Sequence, residues 1–199
     1  YLFAGDLLGQ SMATSFGLQP FEIPLFGLYG ACSTAGEALA LAAMTVAAGY
    51  ADVVGAVTSS HFASAEKQFR FPLEYANQRP LCTTWTVTGA GAFLLGRESG
   101  KKQNYSDNRK RTDSGSSMIK SAEQKVADDT EQTVCGVRIT GITTGKIVDY
   151  GVRDSMNMGA AMAPAAAACI QAHLKDFSRS PSWYDKIITG DLGAVGREI

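Results

Sequence analysis

The chain has 199 residues, 45% of them hydrophobic and 19% charged, with 18 basic side chains against 19 acidic ones for a net charge of −1. That balance describes an ordinary globular protein able to build a core, and it excludes the strong positive footprint of a nucleic-acid binder. Four cysteines, at positions 32, 82, 135 and 169, lie far apart without C-x-x-C spacing. They indicate neither a zinc site nor a disulfide framework, and they suit a reducing compartment.

Leu2 to Leu18 places apolar residues at 2, 3, 7, 8, 12 and 16 with Gly17 near the end, a spacing that predicts an amphipathic helix. Asp6 near its start reads as solvated or capping. Pro20 and Pro24 bracket a connection into Ile23 to Tyr29, β-branched and aromatic enough for a strand. Thr34 to Gly49 is alanine- and leucine-rich and predicts a helix, with Thr34 and Glu37 spaced as a capping box. Cys32 stands at the joint between the two.

A helix amino end beside a thiol favours the thiolate. A lone cysteine among alanine and glycine also reads as a small buried hydrophobe. Both readings of Cys32 stand at this point. The helix is apolar nearly all round, Glu37 being its one charge, so it should lie inside the protein. Its apolar run, Ala35 to Ala48, is too short to span a bilayer.

Gly49 to Asp52 turns the chain into Val53 to Thr58, a continuous apolar run of the kind found in strands covered on both faces. Strand, helix and strand with short joints make a right-handed βαβ unit, whose sites lie past the carboxyl ends of strands. Cys32 and Ser59-Ser60-His61 both lie past such ends and are expected on one edge of the sheet. From His61 to Val87 a long stretch alternates His61, Glu66, Lys67, Arg70, Glu74, Arg79, Cys82 and Trp85 with Phe62, Phe69, Phe71 and Tyr75. It reads as a cover over the site or over a subunit interface, or as a structural excursion whose charges pair among themselves. Gly89 to Gly96 predicts another strand.

Arg97 to Glu131 has scarcely an apolar side chain and reads as a solvated linker or insertion, in spite of the basic residues from Lys101 to Arg111. Val134 to Val148 recovers β character, with a hairpin or bend at Thr143 to Lys146. Gly145-Lys146 lacks the spacing of a phosphate loop. Asp154 to Gly159 leads into an alanine-rich helix, Ala160 to Phe177, with Pro164 in its first turns and His173 expected to face solvent near its end. Pro181 and Trp183 turn the chain into a strand at Asp185 to Asp191. The pattern of the first half thus recurs, and three regions are expected: residues 1–98, a polar linker at 99–136, and a second half beginning at 137–199. Both ends read as cut, so the fold is expected as an incomplete copy.

Two α/β halves of βαβ type, with a cysteine at the entrance of a buried helix, resemble the thiolase superfamily. Particular stretches narrow the likeness: Ala31-Cys32-Ser33-Thr34-Ala35-Gly36-Glu37-Ala38, then Thr58-Ser59-Ser60-His61-Phe62 through Tyr75, and Trp85-Thr86-Val87-Thr88-Gly89-Ala90-Gly91. Together with Met156-Asn157-Met158-Gly159 and Ile188-Thr189-Gly190-Asp191-Leu192-Gly193, these resemble the stage V sporulation protein AD family of endospore-forming bacteria. The likeness covers nearly everything outside residues 97 to 136. The polar stretch from Lys101 to Gln132 is longer than that family leads one to expect.

The resemblance implies a non-catalytic, thiolase-like subunit that binds dipicolinic acid, free or as its calcium chelate, for uptake into the spore and release at germination. It implies a homodimer without a transmembrane segment, held at the cytoplasmic face of the forespore or spore inner membrane by membrane proteins of the same sporulation operon. No nucleic acid, metal or cofactor is expected. A planar dianion calls for guanidinium, ammonium or imidazole donors with aromatic walls. Cys32, His61, Lys67, Arg70 and Arg79 are the candidate ligand-binding residues, beside Phe62, Phe69 and Tyr75.

Two other functions stay open. In a Cys-dependent acyltransferase acting on a coenzyme A thioester, Cys32 would be the nucleophile. Thiolase chemistry also needs a histidine and a second acid-base group, and His61 and His173 do not stand in a Gly-His-Pro setting, so those partners would lie beyond residue 199 or be absent. In a dimeric assembly module the stretch 62–87 would dock a second copy or another protein.

Overall fold

The computed structural model describes residues 1–9, 11–62, 81–84, 87–97, 136–147 and 149–199. The chain divides into two compact units, residues 1–97 together with 141–199, and residues 98–140. In the second unit the described residues, 136–140, carry no regular element, and the Val137 side chain is fully exposed.

The first unit opens with β1 (Leu2–Asp6), followed by α1 (Met12–Leu18), β2 (Leu25–Gly27), α2 (Thr34–Ala47), β3 (Val53–Ser60) and β4 (Gly89–Gly96). The strands form one sheet in the order β2-β1-β3-β4. Strand β1 is parallel to β2, with Leu2 opposite Leu25, and parallel to β3, with Leu2 opposite Gly55; β4 runs antiparallel to β3 from Val53 opposite Gly96 to Ser60 opposite Gly89. This is a mixed α/β architecture. Among the described residues it has four strands and four α-helices, the last two being α3 (Met158–Asp176) and α4 (Gly193–Glu198).

The opening segment departs from the expected helix over Leu2 to Leu18. Its first residues, Leu2–Asp6, are a central strand of the sheet, and only Met12–Leu18 is helical. Leucines and phenylalanine at 2, 3, 7 and 8 imitate a helical face, but Gly5 costs a helix about 1 kcal/mol. As a strand the same residues gain ladder bonds on both edges. Gly5 also permits a close crossing, because a Cβ built there would overlap the Leu28 carbonyl oxygen and meet the Thr34 methyl at 2.9 Å. The Ala4 carbonyl accepts from the Leu28 amide at 2.8 Å, so the chain passes directly over β1 on its way to α2.

Alternation along β1 sends residues to opposite faces. Phe3 faces α2 and joins Leu28, Ala38, Ala42, Val46, Val54 and Ala56 in the buried core, with Leu39, Leu41, Ala51 and Leu95 packed around it. Asp6, on the other face, meets α1. Helix α2 buries Thr34, Ala38, Ala42 and Val46, one stripe at every fourth residue, and Met44 on another side is 44% exposed. It is therefore not buried all round as its composition suggests: among the described residues it lies on one face of a sheet.

The strands expected within 134–148 and at 185–191 are not formed among the described residues of those segments. A β-rich run becomes a strand only where a neighbour accepts its amides, and no ladder joins either segment to the sheet; Ile147 and Ile188 lie largely exposed. No hairpin forms at Thr143 to Lys146. The helix between them is as expected, two residues longer at its start, with the Asn157 side chain accepting from the Ala160 amide at 3.2 Å as its cap.

Helices α3 and α4 cross at Gly159 and Gly196. A Cβ on Gly159 would overlap the Leu192 carbonyl oxygen, and one on Gly196 would lie 2.7 Å from the Gly159 carbonyl oxygen. Gly159→Ala is expected to part the two helices at a cost of roughly 2 kcal/mol. Hydrogen exchange should then accelerate over 190–199 while β1 and β3 keep their protection.

Candidate functional site

The strand order places a reversal at the centre of the sheet. From β1 the chain steps outward to β2, then returns across β1 to β3 through α2. The carboxyl ends of β1 and β3 therefore bound the crevice where open α/β sheets bind ligands. A hollow of about 340 Å³ lies there, at the small end of the range of about 300–1,000 Å³ for ligand pockets. Leu7 follows β1 into it; Ala31, Cys32, Thr34 and Ala35 come from the start of α2; Thr58, Ser59 and Ser60 end β3; and Val87 and Gly89 to Gly91 enter with β4.

Cys32 sits in a single 3-10 turn, Ala31–Ser33, immediately before α2, and its side chain is exposed. It is thus not the buried small hydrophobe that its alanine and glycine neighbours also suggested. Ala31 has φ 48°, a left-handed conformation that costs a non-glycine residue on the order of 1 kcal/mol. The turn is held from both sides: the Gly30 amide donates to Thr34 Oγ1 at 3.1 Å, and Ser33 Oγ donates to the Gly30 carbonyl at 2.7 Å. The expected capping box is consequently not made. Thr34 is the first helical residue rather than the cap, and Ser33 at the cap position gives no side-chain bond to the helix amides.

Behind the serines stands Asp6, with no solvent exposure. Its carboxylate accepts from the Ala13 amide at 2.9 Å, the Thr14 amide at 3.0 Å, the Thr14 hydroxyl, and Ser59 Oγ at 2.9 Å. Of the two sequence readings of Asp6, capping holds and solvation does not. It caps α1 from within the sheet, and in the same stroke ties α1 to the end of β3. Ser60 Oγ, one residue on, donates to the Val87 carbonyl.

Of the candidate residues, Cys32 lines the hollow together with Ser59 and Ser60, which the sequence places at the same sheet edge. His61, the first residue past β3, is exposed and is not among the lining residues. Lys67, Arg70 and Arg79, with Phe69 and Tyr75, lie outside the described residues, as does the expected linker 99–136 up to its last residue. Asp6, Thr34 and the glycines of β4 were missed as site residues; the signal for them is position at a strand end beside the reversal, which depends on β1 being read as a strand. Among the described residues no three His, Cys, Asp or Glu side chains gather so as to hold a metal ion, and no helix is long and apolar enough to cross a membrane.

His173 is not the solvent-facing side chain expected. Its Nδ1 lies 2.8 Å from Thr143 Oγ1 and its Nε2 lies 2.6 Å from the Tyr184 hydroxyl, which also accepts from Arg179 Nη1 at 2.9 Å. Its ring lies 4.6 Å from that of Phe177. Arg179 covers the Phe177 and Trp183 rings at 5.0 and 5.2 Å. The cluster fastens the end of α3 to the Pro181–Trp183 turn and takes no part in the hollow.

The sequence model of one protein family, described as Stage V sporulation protein AD (SpoVAD), matches residues 1–199. The Stage V sporulation protein AD of Bacillus subtilis (strain 168) is 39% identical over 198 residues, covering 100% of this chain and 48% of that protein. The chain thus spans about half the length of the curated relative it matches.

Proposed function

The chain belongs to the stage V sporulation protein AD family, and on that premise we propose that it binds dipicolinic acid, free or as its calcium chelate, without turning it over. In this reading the protein serves uptake of that dicarboxylate into the spore and its release at germination. It works as a homodimer on a thiolase-like scaffold, in two halves at 1–98 and from 137 joined by the linker 99–136. It stays peripheral to the inner membrane of the spore and is held there by membrane proteins of the same operon.

One observation carries the reading. Ser60 and Val87, close to the two ends of the cationic stretch, line the same hollow as Cys32. That stretch contains His61, Lys67, Arg70 and Arg79 in its sequence, residue types that suit a planar dicarboxylate. Cys32 then serves as wall rather than nucleophile, since a scaffold does not dictate its chemistry.

Titration of the protein with dipicolinate by calorimetry should give saturable binding, weakened about 10- to 100-fold by Arg70→Ala or Arg79→Ala, as loss of a charge-assisted bond of roughly 1.5–3 kcal/mol requires. Absence of saturation, or indifference to both substitutions, overturns it. The exposed Cys32 thiol before α2 is what favours acyl transfer as the second reading. A mass adduct on Cys32 after incubation with an acyl-coenzyme A, lost in Cys32→Ser, would decide for that chemistry.

A further inference from the structure

Side chains alternate across a strand, so the register of the sheet tells which residues floor the hollow. Phe3, Ala56 and Phe93 stand side by side, and the first two pack in the core under α2. Two residues on, the same face carries Gly5, Thr58 and Gly91 in a row, and beyond it Ser60 beside Gly89. The fold itself requires Gly5, because the Leu28 carbonyl and the Thr34 methyl fill the place of its Cβ. It makes no such demand at Gly91 or Gly89. A Cβ on Gly91 would meet Phe93 Cε2 at 3.8 Å and one on Gly89 would meet Val87 Cγ1 at 4.0 Å, both ordinary contacts, with nothing closer among the described residues. Neither glycine has a positive φ. Glycine inside a strand gives up stability, and where neither backbone nor packing calls for it, it marks a place that something else approaches closely.

The hydroxyls sort by face in the same way. Ser59, turned to the opposite face, ends on Asp6, while Ser60 gives its proton to the Val87 carbonyl and Thr34 Oγ1 accepts from the Gly30 amide. Thr58, half-buried between Gly5 and Gly91, lines the hollow with no side-chain hydrogen bond among the described residues. We propose that Gly91 and Gly89 determine which ligands the hollow admits: a flat ring lies against their bare backbone, and the Thr58 hydroxyl donates to an acceptor at the ring's edge. The two glycines stand about 7 Å apart along β4, a strip long enough for one six-membered aromatic ring. Cys32 borders the same hollow from the start of α2.

One test rests on the dipicolinate reading above, with binding measured by calorimetry to wild type, Gly91→Ala, Gly91→Val and Thr58→Val. Gly91→Val should weaken dipicolinate about 10- to 100-fold by filling the slot, and Gly91→Ala should weaken it less. Thr58→Val, which keeps the shape and removes the donor, should cost about 10-fold. Gly96→Ala, whose Cβ would lie 3.5 Å from the Asp52 carbonyl oxygen and outside the hollow, should change nothing. The unfolding midpoint of Gly91→Val should hold or rise, since a β-branched residue favours a strand; a fall assigns the glycine to packing and overturns the inference. Gly91→Ala keeps the test open if Gly91→Val does not fold.

A second test needs no dipicolinate. Alkylation of Cys32, followed by peptide mass spectrometry, is timed with N-phenylmaleimide and with iodoacetamide. Gly91→Val should slow the aromatic reagent about 5- to 10-fold and leave the small one unchanged. Dipicolinate binding that Gly91→Val and Thr58→Val leave intact overturns the inference and spares the dipicolinate reading. No dipicolinate binding to wild type, with a Gly91-dependent rate for the aromatic reagent alone, overturns that reading and sustains the flat slot. No binding, with both reagents slowed equally or neither slowed, overturns both.

Discussion

Asp6→Ala is expected to lower the stability of the fold by roughly 3–5 kcal/mol, because it strands several buried donors at once. The Ala13 and Thr14 amides, the Thr14 hydroxyl and Ser59 Oγ all end on this carboxylate, and Asp6 is sealed from water. An unsatisfied buried donor costs about 1–3 kcal/mol. Replacement by alanine admits no substitute acceptor of protein origin at those atoms. Asp6→Asn keeps the shape and one oxygen, so it should lose less, about 1–2 kcal/mol by the same reasoning. Chemical unfolding of the three proteins checks the order. A loss below about 1 kcal/mol for Asp6→Ala, within the reach of ordinary substitutions, would show that α1 and β3 are held together by something else.

Gly5→Ala should cost about 3 kcal/mol, at the upper end of overpacking penalties. The clash is with backbone rather than with the tip of a flexible side chain: the Leu28 carbonyl oxygen already fills the space a Cβ would take. Relief requires lifting the segment that carries Cys32 away from β1. The variant should therefore alter the rate at which the exposed Cys32 thiol is alkylated as well as the midpoint of unfolding. A destabilised protein with an unchanged alkylation rate would show that residues 28–34 do not depend on β1 for their position.

Read from composition and periodicity, α2, β3, β4 and α3 emerged close to their true bounds, because each is long and its apolar pattern is satisfied within a few residues of its neighbours. The edge shared by Cys32, Ser59 and Ser60 was legible for a similar reason: a βαβ unit fixes which strand ends come together. Strand β1 was not legible. Leu2, Phe3, Leu7 and Leu8 fit a helical face as well as a strand, and the decision falls to Leu25–Gly27 and Val53–Ser60, which pair with it from far along the chain. Asp6 shares that fate, since a carboxylate in the first turn of a helix and one at the end of a strand look alike in sequence. The segments at 134–148 and 185–191 failed in the other direction. Their residues favour strands, but that preference is realised only beside a partner. His173 was misjudged because Thr143, Arg179 and Tyr184 converge on one helix end by folding, not by spacing.

The eight-rung ladder between β3 and β4, from Val53 and Gly96 to Ser60 and Gly89, has a consequence for how the connection after β3 can change over evolutionary time. Residues 61–88 join two strands whose ends that ladder already pins, so a change in the length of this connection costs loop-closure entropy of only about 0.6 kcal/mol for each doubling, separate from the packing of the buried Thr83 and Thr84. Insertions or deletions between Phe62 and Leu81 should therefore leave the sheet register untouched. Length of this connection and sheet register can thus drift separately, and chimaeras that trade the segment between Phe62 and Leu81 among relatives should keep the recipient's β3–β4 pairing.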